Sequence, residues 1–174
     1  LLMAMQRFFP SRGLDYIFAT HADPDIIASM NKWMVATHCK VMISRLWTRF
    51  IPHFTTGKDY TARIVGIPDE GMNILLGENK VKAVPAHFMH SEGNFQFYDP
   101  VSKILFSGDM GASLVDHVQA AEPVRNFDDH VVTMLGFHRR YMISNKICRF
   151  WVNMVRQMDV EIIVPQHGCR FEGK

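Results

Sequence analysis

Three histidines and three aspartates in this sequence stand in short motifs whose composition suits metal binding. The densest motif is Thr20-His21-Ala22-Asp23-Pro24-Asp25-Ile26, with one imidazole and two carboxylates within five residues. Three later motifs add Met89-His90-Ser91-Glu92-Gly93-Asn94, Phe106-Ser107-Gly108-Asp109 and Pro165-Gln166-His167-Gly168. The candidate metal ligands are therefore His21, Asp23, Asp25, His90, Asp109 and His167.

The types of these six side chains indicate which metal they would bind. A structural zinc site has four ligands, usually with thiolates, and calcium or magnesium prefers oxygen ligands. A mixed set of imidazoles and carboxylates suits redox-active non-haem iron or manganese. Six donors are more than one metal with an open position needs, so they indicate two ions. Two ferrous ions carry +4 and three carboxylates remove 3, which leaves a nearly neutral site that can be partly buried. Asp109, with two oxygens, is the natural bridge.

Each candidate ligand also has an ordinary structural explanation. Asp23 could act only as a helix N-cap, which contributes about 1 kcal/mol, and Asp25 could favour the positive end of the helix dipole. Asp109 could be a turn residue, and a single histidine is more often structural than a ligand. All of these separate explanations would have to be true at the same time, at four different strand ends. The metal site is therefore the favoured interpretation.

The motifs follow or border apolar runs that predict strands. The predicted strands are 16–20, 41–43, 62–66, 73–76, 81–86, 95–99, 104–107 and 160–164. The predicted helices are one that ends at Pro10, one from Pro24 to about Thr37, a short one through Trp47 and Phe50, and two at Asp128–Ile143 and Asn145–Met158. Alternation of strands with helices indicates an α/β layered fold. The candidate ligands would then lie in loops at strand ends, where a rigid sheet can hold a site.

Length and composition exclude several classes of protein. A chain of 174 residues with 48% apolar and 21% charged residues predicts one globular domain over 1–174. Its net charge of +2 is too small to imply nucleic acid or a lipid surface, and no apolar run approaches the ~20 residues of a membrane span. The three cysteines suggest no disulfide framework, so we expect a cytoplasmic protein. The chain begins with Leu1 and ends soon after His167, so we expect a fragment.

The ordered set of motifs resembles the metallo-β-lactamase superfamily. The set is Thr20-His21-x-Asp23-x-Asp25, His90-Ser91-x-Gly93, Leu105-Phe106-Ser107-Gly108-Asp109 and Pro165-Gln166-His167-Gly168. Asp23, where hydrolases carry a second histidine, resembles the flavodiiron branch, as do the 18 residues between His90 and Asp109. The run from His90 to Ser113, with Tyr98-Asp99-Pro100, looks especially like the oxygen-binding diiron proteins of that branch.

This resemblance implies a fold and a site. The fold would be an αββα sandwich with a dinuclear site at one edge of the sheets. By similarity His21, Asp23 and His90 would hold the first iron. Asp25 and His167 would hold the second, and Asp109 would bind both. The resemblance implies O2 binding or reduction, with nitric oxide as another substrate in some members. Flavodiiron proteins receive electrons from a flavin in a flavodoxin-like domain.

Three departures from the family pattern modify these expectations. The superfamily usually has a histidine directly after the second carboxylate, where this chain has Ile26. The second iron would then have one imidazole and an open position. The chain shows no flavodoxin-like domain or Gly-rich phosphate loop, so we expect an external electron donor of the flavodoxin-like or rubredoxin type. The opening strands of the sandwich are also missing, so the predicted domain is N-terminally incomplete.

Several alternatives remain open at this level. The main hypothesis is a diiron protein that binds O2 and reduces it, or senses it. The second is a hydrolase with two zinc ions, and the third is a metal-free binding module. A homodimer is possible for any of them. His87 could replace His90, although the Ser-x-Gly that follows favours His90. His138 could be a proton source or an extra ligand, but a packing or surface role is the favoured prediction, and Cys169 is predicted to be an inert thiol.

Overall fold

The structure, a computed structural model, describes residues 2–9, 13–55, 59–142 and 144–173. The helices are α1 (Leu2–Phe8), α2 (Pro24–Ile27), α3 (Met30–Ala36), α4 (His117–Ala121), α5 (Phe127–Tyr141) and α6 (Asn145–Val155), with 3₁₀ turns at Ile51–Phe54 and Thr61–Arg63. The strands are β1 (Tyr16–Phe18), β2 (Lys40–Ser44), β3 (Ile64–Ile67), β4 (Met72–Leu76), β5 (Asn79–Pro85), β6 (Phe95–Asp99), β7 (Ile104–Gly108), β8 (Ile162–Pro165) and β9 (Phe171–Glu172).

The strands form two sheets. The first sheet has the order β1-β2-β3, and its strands are parallel. The second has the order β4-β5-β6-β7-β8-β9 and is antiparallel except between β7 and β8. Because β7 and β8 run in the same direction, their carboxyl ends reach the same edge of the sheet. Those ends carry Asp109 and His167.

Alternation along the strands divides the core into layers. In β2, Val41 and Ile43 pack with the buried residues of α2 and α3, whereas Met42 points to the other side, against the second sheet. In β6, Phe97 faces the first sheet, and Tyr98 faces the opposite way, against α6. The chain therefore has the layer order helix, sheet, sheet, helix, and the predicted αββα sandwich is confirmed.

The structure corrects several predicted elements. The helix predicted from Pro24 to Thr37 is two helices, because the chain makes a turn at Ala28 and Ser29, between α2 and α3. The region of Trp47 and Phe50 consists of hydrogen-bonded turns that lead into the 3₁₀ turn. The sequence reading missed α4 and β9, which have five and two residues and are too short to show periodicity. Two predicted helix ends, at Pro10 and Ile143, lie outside the described residues.

None of the helices in the described ranges is long and apolar enough to cross a bilayer.

Candidate metal centre

The bridge candidate Asp109 is positioned by an irregularity in the second sheet. The register between β7 and β8 shifts between Phe106 and Gly108, and Asp109 follows directly. Gly108 adopts a φ of 58°, a left-handed conformation that glycine tolerates, and it lies against Thr20, where an added β carbon would be 3.2 Å from the Thr20 side chain. The backbone N–H of Gln166 donates a 2.7 Å hydrogen bond to Gly108. These contacts fix Asp109 next to β1 and to the end of β8.

His21 is held at the junction of the two sheets. The carbonyl of Thr20 accepts a 2.8 Å hydrogen bond from the Phe95 N–H, which links the end of β1 to the start of β6. The Thr20 hydroxyl lies 2.9 Å from Nδ1 of His21. With Nδ1 engaged by this hydroxyl, the other ring nitrogen, Nε2, faces the carboxylates.

The two aspartates of the first motif lie at the start of α2. Asp23 occupies the N-cap position before Pro24, as predicted, yet its side chain makes no capping hydrogen bond. Its carboxylate points instead toward the histidines: Oδ2 lies 3.6 Å from His21 Nε2 and 3.4 Å from His90 Nε2. The helix-cap explanation of Asp23 therefore does not account for its side chain.

His90 lies in the loop between β5 and β6. This loop is closed by hydrogen bonds from Phe88 N–H to the Ser91 carbonyl and from the Asn94 side chain to the Met89 carbonyl. The His90 ring is edge-on to Phe137, at 5.9 Å between centroids, and 5.2 Å from Tyr141. Helix α5 therefore covers one side of the site with two aromatic rings.

The six candidate side chains form two groups that meet at Asp109. In the first group, Asp109 Oδ2 lies 3.4 Å from His21 Nε2 and 3.0 Å from His90 Nε2. In the second, Asp25 Oδ2 lies 3.0 Å from His167 Nε2, which is 3.9 Å from the other Asp109 oxygen, Oδ1. One ligand atom each from His21, Asp23 and His90 lies within 4.8 Å of the others.

Burial differs between the parts of this cluster. His21 and Asp109 are almost fully buried, whereas the side chains of Asp23, Asp25 and His167 are about half exposed. Burial raises the pKa of Asp109, but the contacts with His21 and His90 favour the charged form more strongly. The pKa of Asp109 therefore lies below its ordinary value, and the residue is a carboxylate at neutral pH.

Two buried atoms of the cluster have no hydrogen-bond partner among the described residues: His21 Nε2 and Asp109 Oδ1. An orphaned polar atom in a protein interior is costly. Metal–ligand bonds of about 2.0–2.2 Å place two ligands of one ion roughly 3–3.5 Å apart. The separations of 3.0–3.6 Å from the Oδ2 atoms of Asp23 and Asp109 to the Nε2 atoms of the two histidines of the first group match this value. The residues of the first group therefore fit a cation between them.

Comparison with known families decides the identity of the chain. The profile of the family described as ODP family beta lactamase matches residues 1–168. This chain belongs to the ODP family. The expected membership of the metallo-β-lactamase superfamily is thereby confirmed.

Solved structures of the chemotaxis sensor ODP are 42% identical to this ODP-family chain. One is described as its peroxy diiron species; it has a TM-score of 0.90, and the match covers 99% of this chain and 71% of that chain. The other is the apo state from T. denticola, also with a TM-score of 0.90, covering 98% of this chain and 69% of that one.

More distant relatives also match nearly the whole chain. A mutant flavo di-iron protein from Thermotoga maritima has a TM-score of 0.81 at 16% identity, and the match covers 99% of this chain and 42% of that chain. An uncharacterised protein of Methanocaldococcus jannaschii is 23% identical over 174 residues, which is 97% of this chain. The chain spans 42% of the length of that relative.

The residue after Asp25 affects the number of candidate ligands in the second group of the site. Ile26 stands where the superfamily usually has a histidine, and its side chain packs against the apolar cluster between the first sheet and its helices. The ODP-family chain therefore has fewer candidate ligands beside Asp25 and His167 than beside His21 and His90.

The two histidines left open by the sequence hydrogen-bond to groups outside the cluster. His87 Nε2 is 2.8 Å from the Asp69 carbonyl, and its ring stacks edge-on against Phe95. His138 accepts a 3.1 Å hydrogen bond from Gly111 N–H at Nε2, and its Nδ1 lies 2.9 Å from the Met134 carbonyl. Both ring nitrogens of His138 are thus engaged, in agreement with the predicted packing role.

Sequence reasoning missed two contacts of the site. Phe137, which covers His90, was predicted only as part of the helix at Asp128–Ile143. Gln166 lay inside a quoted motif but received no role, although its side chain contacts Asp25. Its only signal in the sequence is its position directly before His167.

Proposed function

We propose that this chain holds two iron ions between the six side chains and binds dioxygen. His21, Asp23 and His90 would hold the first ion, Asp25 and His167 the second, and Asp109 would give one oxygen to each. The observation that carries the proposal is the buried Asp109 carboxylate, whose two oxygens face separate groups of imidazole and carboxylate.

The donor set favours iron over other metals. Imidazoles with carboxylates suit a redox-active metal, whereas thiolates, which structural zinc sites prefer, are absent from the six. Two iron ions, each able to change between the ferrous and ferric states, supply the electrons for binding or reducing dioxygen. The three carboxylates offset most of the ions' charge, which allows His21 and Asp109 to be buried.

The chain's own residues give the site one open side. The exposed side chains of Asp25 and His167 face solvent, and Ile26 adds no second imidazole to their group. Phe137 and Tyr141 cover the opposite side, over His90. A small ligand would therefore reach the second ion, which Asp25, His167 and Asp109 would hold without a second imidazole.

Sensing is the form of this function that the relatives support best, because the 42% identical relative is described as a chemotaxis sensor. A sensor retains its ligand, whereas a reductase needs rapid re-reduction by an external donor, of the flavodoxin-like or rubredoxin type. Nitric oxide, a diatomic of similar size, would compete for the same open position.

The test is metal analysis of anaerobically purified protein, followed by an absorption spectrum after air is added. We expect two irons per chain and a stable coloured product, with negligible O2 consumption in the presence of a reductant. Rapid consumption would show a reductase instead. Stoichiometric zinc with hydrolysis of a chromogenic ester, or protein that binds no metal at all, would overturn the proposal.

A further inference from the structure

Gln166 lies directly before His167 and contacts the same carboxylate. Its side-chain nitrogen Nε2 donates a 3.2 Å hydrogen bond to Asp25 Oδ2, the oxygen that lies 3.0 Å from His167 Nε2. Asp25 is on α2 and Gln166 follows β8, so this bond joins a helix over the first sheet to the edge of the second.

The orientation of the Gln166 amide follows from chemistry. An ionised carboxylate only accepts hydrogen bonds, so the amide must present its nitrogen to Asp25 and turn its oxygen away. The backbone of Gln166 is held separately, by its N–H bond to the Gly108 carbonyl. Its side chain is exposed and fills no part of the core. The side chain can therefore be changed while the backbone stays in place.

Asp25 needs an external support to hold a fixed orientation. It lies in the first turn of a helix of four residues, and its side chain is about half exposed. Among the described residues, its hydrogen bonds go to Gln166 and His167. A metal ligand whose carboxylate rotates freely loses conformational entropy when it binds, which weakens the site.

We infer that Gln166 is a positioning residue for the second metal position, where it holds Asp25 beside His167. This inference rests on the proposed function. A carboxylate has about four acceptor sites on two oxygens, so Asp25 can keep the amide hydrogen bond while it binds an ion. Supporting residues of this kind typically change metal affinity by roughly 10–100-fold when they are removed. The effect should be confined to the second ion, because the hydrogen bond of the Gln166 side chain to the described residues goes to Asp25, which belongs to the second group only.

The experiment is an anaerobic titration of metal-free protein with Co(II), followed by visible absorption. The wild type should bind two ions in two steps, the first at the more complete group. In Gln166→Leu we expect the Co(II) affinity of the second step to fall about tenfold or more. Only the absorption spectrum of the second ion should change. The Co(II) affinity of the first step should stay within about twofold of the wild-type value, since this step does not depend on a bond to Asp25. Gln157→Leu, which changes an exposed glutamine at the end of α6, is the matched control and should titrate like the wild type.

The outcomes separate this inference from the proposed function. A wild type that binds fewer than two ions overturns the proposed function and this inference with it. If the wild type binds two ions and the second step is unchanged in Gln166→Leu, only the inference fails. It fails equally if both steps weaken together, because that result shows a general structural effect. Gln166→Met, which preserves length without a donor, repeats the test with a second side chain.

Discussion

Trp151 and Gln96 lie in different layers of the fold and are joined by a 2.8 Å hydrogen bond from the indole Nε1 to the side-chain oxygen. Gln96 is fully buried in β6, and its amide nitrogen donates a 3.0 Å hydrogen bond to the Ser107 carbonyl. Ser107 lies where the register of β7 and β8 shifts, two residues before Asp109. A single buried amide therefore connects helix α6 to the strand that carries Asp109.

Replacing Gln96 with leucine should destabilise the protein. The change removes one acceptor and one donor together. It leaves the Trp151 indole N–H without this acceptor, whereas the Ser107 carbonyl still accepts a 3.2 Å hydrogen bond from the Met110 N–H. An unpaired group of this kind costs about 1–3 kcal/mol, so we expect the free energy of unfolding to fall by about 1–3 kcal/mol in urea denaturation.

A double mutant tests that explanation. In a Trp151→Phe background no indole donor remains, so Gln96→Leu should cost less than it does alone. Equal costs in both backgrounds would contradict the role given to the hydrogen bond. Gln157→Leu, an exposed change of the same type, should leave stability within about 0.5 kcal/mol of the wild type.

Gly168→Ala should destabilise the protein and loosen the second metal position. Gly168 has a φ of 89°, and an added β carbon would overlap the Ser113 hydroxyl and lie 2.8 Å from the Ser113 carbonyl oxygen. Left-handed strain and overpacking each cost about 1–3 kcal/mol. We expect a lower melting temperature in calorimetry and a loss of bound iron, because the adjacent His167 must move.

Gly136→Ala is the matched control for that change. Gly136 lies within α5, and an added β carbon would have nothing within 4 Å, so alanine should stabilise the helix by about 0.5–1 kcal/mol. A melting temperature that falls equally in both variants would contradict the steric argument at Gly168.

The three cysteines should react with thiol reagents at different rates. Cys39 and Cys169 are buried, whereas Cys148 is partly exposed. Burial raises the pKa of the Cys169 thiol above 9.0, so less of the reactive thiolate is present at pH 8. We expect one fast thiol in the native protein, lost in Cys148→Ser, and three in urea. A fast phase of more than one thiol in the native wild type would show that the core opens readily.

The sequence predicted the proximity of the six candidate side chains better than it predicted the elements around them. The parallel pairing of β7 and β8 brings Asp109 and His167 to one edge of the second sheet. The other candidates come from the end of β1, from α2 and from the loop between the antiparallel strands β5 and β6, whose positions depend on the packing of the two sheets. The division of the helix after Pro24 was not visible, because Ala28 and Ser29 are compatible with a continuous helix. The role of Gln96 was also not predictable, because the sequence of an apolar strand does not show which side chain its glutamine will contact. The partner, Trp151, is known only from the structure.

Removing single carboxylates should distinguish the two metal positions. Asp25 belongs to the second group only, so Asp25→Asn should retain one of the two irons and lose the other. Asp109 faces both groups with different oxygens, so Asp109→Asn should lose more iron than Asp25→Asn does, because an amide brings no charge and only one oxygen. Metal analysis of anaerobically purified variants measures the difference.

The control for both changes is Asp69→Asn, which alters an exposed aspartate outside the cluster and should keep the wild-type iron content. The decisive comparison is between Asp25→Asn and Asp109→Asn. If both variants lose the same amount of iron, Asp109 serves only one ion, and the assignment of a shared carboxylate is wrong. If Asp25→Asn loses both ions, the second group is needed to assemble the first, and the two positions are not independent. The larger loss in Asp109→Asn follows only if its two oxygens serve different ions.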